Sequence, residues 1–157
     1  MVGGSGEQSF SRTQPQVMPS LLEAGTLNTP GLAGLAAALD FLQAEGLDKV
    51  HARESELTER FYRAASALPG ITIYGDFSGD RAAIVALNIA GVPADVAAQI
   101  LDEEFDIAVR AGAHCAPLMH QALGTNDCGA LRFSFSYFTK DGDIEAALEA
   151  LRQITSN

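Results

Sequence analysis

The chain has 157 residues, 47% of them hydrophobic and 19% charged, which suffices for one domain with its own hydrophobic core. Twenty acidic residues against ten Lys and Arg give a net charge of −10. This charge disfavours nucleic acid and anionic lipid as partners. The longest apolar runs, such as residues 82–90, are much shorter than the roughly 20 residues of a membrane-spanning helix. With no secretory signal and only two cysteines, the sequence predicts a cytoplasmic protein with free thiols.

The first thirty residues differ in character from the rest of the chain. Glycines and prolines punctuate this segment, and no apolar periodicity is present before Leu32. A segment of this kind cannot form a core by itself. We therefore expect an extended arm over residues 1–30 and a compact domain over residues 31–157.

Helical periodicity begins after Thr29 and Pro30, where Thr can cap the helix and Pro can occupy its first position. A leucine stripe then continues until Gly46, and a second helix with one charged face is predicted over residues 47–68. The stripe consists of Leu32, Leu35, Leu39 and Leu42.

Short apolar runs and alternation predict four strands in the remainder, at residues 71–74, 82–90, 106–110 and 130–138. A helix is predicted over residues 93–104, with Val96, Ile100 and Leu101 facing inward, and another over residues 141–155. This order favours an α/β fold of the α+β type, with an open sheet of about four strands and helices covering one face.

The segment from Arg110 to His120 concentrates reactive residue types. Cys115 follows His114, and a thiol beside an imidazole or a cation can become a nucleophile. The alternative is a cysteine that acts as a small buried hydrophobic residue. Composition and spacing alone leave both interpretations open.

Two further arrangements of these residues have weaker support. His114, Cys115, His120 and Cys128 could together bind a metal, but their spacing contains no C-x-x-C or H-x-x-x-H pair. A disulfide between Cys115 and Cys128 is equally disfavoured in a reducing compartment. The sequence therefore predicts no metal site.

Arg132 is predicted on the polar face of the last strand, together with Ser134 and Ser136. An arginine can bind a carboxylate through two parallel hydrogen bonds. A salt bridge to one of the chain's acidic residues is an equally good interpretation. The Gly-Ser-Gly sequence at residues 4–6 is a weak signal for phosphate binding.

Four segments together resemble the C-terminal part of a class V aminotransferase of the cysteine desulfurase type, a pyridoxal phosphate (PLP) enzyme of fold type I. The segments are Gly-Gly-Ser-Gly at 3–6, Leu-Glu-Ala-Gly-Thr-Leu-Asn-Thr-Pro at 22–30, Val-Arg-Ala-Gly-Ala-His-Cys-Ala-Pro at 109–117 and Leu-Arg-Phe-Ser-Phe-Ser-Tyr-Phe at 131–138. They follow the family's order and span the chain nearly from end to end.

The resemblance implies a role for each matching residue. Cys115 corresponds to the catalytic cysteine, which takes the substrate's sulfur as a persulfide. Arg132 corresponds to the arginine that binds the substrate carboxylate, and His114 is expected beside the substrate. Ser5 and Gly6 correspond to the turn that reaches the PLP phosphate of the partner subunit in a homodimer.

The resemblance also implies that a large domain is missing from this chain. Lys49 and Lys140 are its only lysines, and neither has the apolar surroundings that a Schiff-base lysine requires. We therefore expect a fragment that is inactive alone, from an enzyme that converts L-cysteine to L-alanine and passes sulfur to an acceptor protein. The alternatives are a class V aminotransferase or lyase acting on another amino acid, and a non-catalytic module that binds ligands or regulates a partner.

Overall fold

The computed structural model describes residues 4, 6–8 and 10–156. Internal contacts divide the chain after Gly46 into two compact units, residues 1–46 and 47–157. The boundary expected between residues 30 and 31 stays a prediction. In chain order the elements are α1 (Thr29–Glu45), α2 (Leu47–Ser66), β1 (Ile71–Tyr74), β2 (Ile84–Ile89), α3 (Ala94–Phe105), β3 (Arg110–Gly112), α4 (Pro117–Leu123), β4 (Ala130–Ser134) and α5 (Asp141–Ser156).

The first unit contains the N-terminal segment and α1. The N-cap of α1 is Asn28, whose Oδ1 accepts a hydrogen bond from the Gly31 N–H at 3.0 Å. The predicted cap, Thr29, was wrong, because its hydroxyl donates instead to the Leu27 carbonyl at 3.4 Å. No residue of α1 is buried, and the side chains of the leucine stripe are therefore not part of a hydrophobic core. Leu32, Leu35 and Leu39 are each more than half exposed.

The second unit contains a four-stranded sheet in the order β1-β2-β4-β3, and every neighbouring pair is antiparallel. The predicted open sheet is confirmed, and so is the hairpin that joins β1 to β2. Helices cover one face of this sheet, as expected from the alternation of apolar and polar residues in β4.

The core lies between that face and helices α2, α3 and α5. Val85 of β2 is opposite Phe133 of β4, and Leu87 is opposite Leu131, so the four buried side chains share one face. The Phe61 ring of α2 packs on Phe133 at a centroid distance of 4.8 Å. Full burial of such a ring stabilises the fold by about 1.5–3 kcal/mol.

The face of the sheet opposite helices α2, α3 and α5 presents a row of paired residues. Tyr74, Ala86, Arg132 and Arg110 occupy successive strands at one level of the register. Residues directly opposite in antiparallel strands have their side chains on the same face. Arg132 and Arg110 therefore lie side by side on the face opposite α2, α3 and α5.

The bounds of three strands differ from the predictions, and β2 is shorter, at Ile84–Ile89 rather than residues 82–90. The strand predicted over residues 106–110 was wrong, because Asp106 ends α3 in the left-handed conformation at φ 56°. The Ile107 N–H then bonds to the Leu101 carbonyl, and pairing with β4 begins only at Arg110. The last strand ends at Ser134 rather than at residue 138.

The inward face of α3 also differs from the prediction. Ala94, Ala97 and Leu101 are its buried residues, whereas Val96 is 42% exposed. Small side chains bring this helix close to the sheet, and Val96 falls outside the contact. Of the three predicted inward residues, only Leu101 is fully buried, while Ile100 packs at the edge of the core.

Helices α2 and α5 are joined by Arg53 on the surface of the second unit. Its Nη2 donates to Asp141 Oδ1 at 2.7 Å and to the Thr139 carbonyl at 3.3 Å. The hydrogen bond from Arg53, followed by its positive charge, holds the pKa of Asp141 below its ordinary value. Because the Asp141 side chain is 59% exposed and the Arg53 side chain 26% exposed, solvent weakens the energetic effect of this ion pair.

Candidate active site

Cys115 lies in the segment 113–129, which connects β3 to β4 and contains the short helix α4. The two ends of this segment are adjacent, because Gly112 of β3 pairs with Ala130 of β4. Cys115 is exposed and has a free thiol, as has Cys128 in the same segment. The thiol of Cys115 is therefore accessible to solvent-borne reactants and is not a buried hydrophobic residue.

The backbone at this cysteine is held in an unusual conformation. His114 and Cys115 have φ values of 52° and 57°, in the left-handed region that non-glycine residues seldom adopt. Each such residue costs about 1–2 kcal/mol relative to a right-handed one. Two in succession persist only where surrounding contacts fix them, and such strain is frequent at functional sites.

Arg110 is the polar neighbour of the thiol. Its Nη2 lies 3.6 Å from Cys115 Sγ and donates a hydrogen bond to it. A guanidinium N–H at this distance stabilises negative charge on sulfur. Sequence reasoning noted Arg110 at the entrance of the segment but did not assign it to the site, since only the fold of 110–115 back on itself brings the two groups together.

Arg132 lies opposite Arg110 on the neighbouring strand. Its side chain is half-buried, and its Nε is a buried atom that forms no hydrogen bond with any part of the chain the structure describes. Within the same part, no carboxylate pairs with it, unlike Arg53, Arg60, Arg63 and Arg152. Two guanidinium groups without an acid beside them form a site suited to an anion.

Among the described residues, the His114 ring forms no hydrogen bond with the Cys115 sulfur. Its Nε2 donates to the Arg110 carbonyl oxygen at 3.1 Å, which fixes the ring against the end of β3. Its predicted place beside the substrate stays a prediction. The His114 ring is nevertheless linked to Cys115 through Arg110, which contacts both residues.

His120 of α4 is buried, with 2% of its surface exposed. Its Nδ1 is 2.7 Å from the hydroxyl of Thr125, which is also buried. Sequence reasoning considered His120 only as a metal ligand and did not consider Thr125. Among the described residues, no group of three His, Cys, Asp or Glu side chains could hold a metal ion.

Glycine is required where the segment rejoins the sheet. Gly129 has φ 64°, and a Cβ placed on it would lie 2.7 Å from the Gly112 Cα. Backbone atoms of the two residues are therefore in close contact. Any side chain at Gly129 would force β3 and β4 apart beside the cysteine segment.

The expected cofactor-binding residues are in the first unit. Ser5 lies outside the described residues, and Gly6 is exposed with φ 78°. Their role toward a phosphate stays a prediction. In the portion of the chain that the structure covers, no helix has the length and apolarity to cross a membrane.

Comparison with known proteins identifies a family and several relatives. Residues 1–147 match the family model described as aminotransferase class-V. A probable cysteine desulfurase of Methanothermobacter thermautotrophicus is 34% identical over 87% of this chain, and one from Staphylococcus aureus is 39% identical over the same share. The chain spans about a third of the length of these relatives, 34% and 32% respectively.

Solved structures give a consistent result. The apo structure of a cysteine desulfurase from Thermococcus onnurineus has a TM-score of 0.80 and 31% identity, covering 88% of this chain and 34% of the other. The cysteine desulfurase CsdA from Escherichia coli, in an S-sulfonic acid form, has a TM-score of 0.77 and 30% identity, covering 88% and 33%. The fold is therefore that of the C-terminal third of such enzymes.

Proposed function

The chain belongs to the class V aminotransferase family, and from this membership we propose that it is the C-terminal part of a PLP-dependent cysteine desulfurase. The whole enzyme would convert L-cysteine to L-alanine and leave the sulfur on Cys115. The observation that carries the proposal is the contact between Cys115 and Arg110, with Arg132 opposite Arg110 on the next strand. A thiol and an anion-binding pair thus lie on one side of the sheet.

The residues of this chain do not fit the lysine-bearing part of a PLP site. Lys49 and Lys140 are its only lysines, and both are exposed. The Lys49 ammonium lies 5.9 Å from the centre of the Tyr137 ring, a surface contact. The lysine and most of the cofactor pocket would belong to the remaining two thirds of the enzyme. When bound there, PLP supplies the electron sink that such chemistry requires.

The proposed work of this chain is to bind the substrate and accept its sulfur. Arg132 would bind the substrate carboxylate through its guanidinium fork. The Cys115 thiolate would then attack the substrate's sulfur. A sulfur–sulfur bond forms while the bond from sulfur to the substrate's β-carbon breaks. The β-carbon retains the electron pair and, once protonated, becomes the methyl group of alanine.

Arg110 would stabilise the Cys115 sulfur during this sulfur transfer. Its N–H donor lies within hydrogen-bonding distance of Sγ and can stabilise negative charge both on the attacking thiolate and on the persulfide that follows. The exposure of Cys115 would then allow the persulfide sulfur to pass to the thiol of an acceptor protein. We place the enzyme in the cytoplasm as a homodimer. Ser5 and Gly6 would contact the phosphate of the PLP that is bound in the partner subunit.

The test compares the whole enzyme with its Cys115→Ser and Cys128→Ser variants. We expect L-alanine release from L-cysteine to be lost in Cys115→Ser and retained in Cys128→Ser, with the PLP absorbance spectrum unchanged in both. Undiminished alanine release by Cys115→Ser, in the presence of a thiol reductant, would contradict the role of Cys115. Product analysis with other amino acids would then identify an aminotransferase or lyase in which this cysteine is incidental.

A further inference from the structure

A buried imidazole lies beneath the exposed cysteine segment. His120 is 2% exposed, whereas its neighbours on α4, Leu118 and Met119, are 79% and 41% exposed. We infer that His120 is a positioning residue, which with Thr125 holds Cys115 in its left-handed backbone conformation. The inference rests on the proposed function for the importance of that conformation, although the contacts themselves do not depend on it.

His120 and Thr125 are in direct contact. The Thr125 hydroxyl meets His120 Nδ1 at 2.7 Å, and the Thr125 N–H donates to the His120 carbonyl at 2.9 Å. Both a side-chain and a backbone hydrogen bond therefore join the two residues. The Gly129 N–H in turn donates to the Thr125 carbonyl at 2.8 Å. Helix α4 is thus tied to the residue that precedes β4.

His120 also contacts His114, the residue before the cysteine. The rings of His114 and His120 have centroids 5.8 Å apart at an angle of 44°, within the range of interacting aromatic pairs. The other side of His114 is fixed to β3 through its bond to the Arg110 carbonyl. The left-handed pair is therefore held from the strand on one side and from α4 on the other.

Only one of the two ring nitrogens of His120 has a hydrogen-bond partner among the described residues. His120 Nε2 is buried and finds no hydrogen-bond partner among residues 4, 6–8 and 10–156. A buried polar atom of this kind destabilises a fold. A phenylalanine would fill the same space without that penalty. The polar contact of Nδ1 with Thr125, which fixes the orientation of the ring beneath His114, is what an apolar ring could not provide.

The test measures how fast iodoacetamide alkylates Cys115 in the whole PLP-loaded enzyme, with Cys128 as the internal reference and peptide mass spectrometry to separate them. Thr125→Val removes the hydroxyl at nearly constant shape, while Thr125→Ser retains it. We expect Thr125→Val to slow alkylation of Cys115 about fivefold, the loss of one ordinary hydrogen bond. The expected cause is that Sγ moves away from Arg110. We expect Thr125→Ser to leave this rate unchanged.

A second pair of variants addresses the ring itself. We expect His120→Phe to reproduce the effect of Thr125→Val, and His120→Asn, which keeps a polar atom near the position of Nδ1, to recover most of the reactivity. The Cys128 sulfur contacts Asn88 and the Gly129 carbonyl rather than the Thr125 hydroxyl, and its alkylation should stay within about twofold of the unmodified enzyme. Equal rates at Cys115 in Thr125→Val, Thr125→Ser and the parent would overturn the inference, as would parallel changes at both cysteines.

Failure of this inference can be told apart from failure of the proposed function. If the parent enzyme releases no alanine from L-cysteine, the proposed function fails, while the alkylation rates still decide whether Thr125 and His120 position the thiol. In an active enzyme, Thr125→Val should lower kcat about fivefold with an unchanged KM for L-cysteine, since the carboxylate contact is not altered. A rise in KM alone would contradict a role in positioning Cys115.

Discussion

Arg110 and Arg132 are directly opposite each other on β3 and β4, with both side chains on the face of the sheet opposite helices α2, α3 and α5. Like charges opposite one another destabilise an antiparallel pair, by about 0.2–1 kcal/mol. Their proximity therefore favours a bound anion over an empty site. The Arg110 guanidinium also donates to the Cys115 thiol, so the proposed anion site and the proposed sulfur acceptor share a single cross-strand pair.

Arg132 is expected to control substrate use rather than cofactor retention. We expect Arg132→Gln to lower kcat/KM for L-cysteine roughly 10- to 150-fold, corresponding to the about 1.5–3 kcal/mol of hydrogen bonds to a charged group. Arg132→Lys should fall between the parent and Arg132→Gln, because lysine keeps the charge without the planar fork. Steady-state kinetics and the PLP absorbance measure the two properties. The matched control is Arg152→Gln, an arginine paired with Glu149 on α5, and a loss as large there would count against a specific site.

Arg110 is expected to show opposite effects on stability and on reactivity. Arg110→Gln removes a like-charge pair, and we expect the free energy of unfolding to rise by up to about 0.5 kcal/mol. The same change replaces the charged guanidinium beside Cys115 Sγ with a shorter, neutral amide, and alkylation of this thiol should slow about fivefold. Urea denaturation and peptide mapping measure these quantities. Faster alkylation of Cys115, or slower alkylation of Cys128 to the same degree, would show that the Arg110 contact does not support the thiol.

Gly129 is expected to tolerate no side chain. A methyl group there meets the Gly112 backbone at 2.7 Å, whereas at Gly124, with a similar φ of 69°, it meets nothing within 4 Å. Both alanine variants have the cost of a left-handed residue, about 1–2 kcal/mol. We expect Gly129→Ala to lower the free energy of unfolding by a further 1–3 kcal/mol or so, the usual cost of overpacking. Equal urea midpoints for the two variants would show that β3 and β4 can separate without cost.

The ion pair of Asp141 with Arg53 is expected to make stability sensitive to acid. The pKa of Asp141 is lower in the folded chain than its ordinary value of 3.8. Its carboxylate therefore stabilises the fold above about pH 4, and this contribution is lost as the pH falls through the lowered pKa. We expect Asp141→Asn to be less stable than the parent at pH 7, with the difference shrinking below about pH 4.

Urea denaturation across a pH series tests this expectation. Asp102→Asn is the control, since Asp102 is an exposed carboxylate on α3 that forms no ion pair with the residues described. We expect no such narrowing for Asp102→Asn. A constant difference between the parent and Asp141→Asn from pH 7 to pH 3 would contradict the assigned role of the ion pair.

The parts of the fold that sequence reasoning predicted correctly are those determined by local periodicity. Alternation in β4 placed Leu131 and Phe133 on the core face and Arg132 on the other, and the register confirms this. The bounds of α2 and α5 followed from their apolar stripes. The open four-stranded sheet with helices on one face followed from the order of these elements.

The parts that sequence reasoning missed depend on contacts between distant residues. β3 has only three residues and is defined by pairing with β4, so its apolar pattern contains too little information to locate it. α4 has seven residues and no side-chain cap, and it is held by the burial of His120 against Thr125. The contact of Arg110 with Cys115 similarly requires the left-handed backbone at His114, which no pattern in the neighbouring sequence predicts.

Because Gly112 and Ala130 are paired in the sheet, the segment 113–129 leaves β3 and enters β4 at the same position of the register. A longer or shorter segment between these two residues would change the distance of the Cys115 sulfur from the sheet. The hydrophobic interior would keep its register, since no strand has to slide. The length of this segment and the pairing of the strands can therefore vary independently, so the position of the Cys115 sulfur can change while the sheet is preserved.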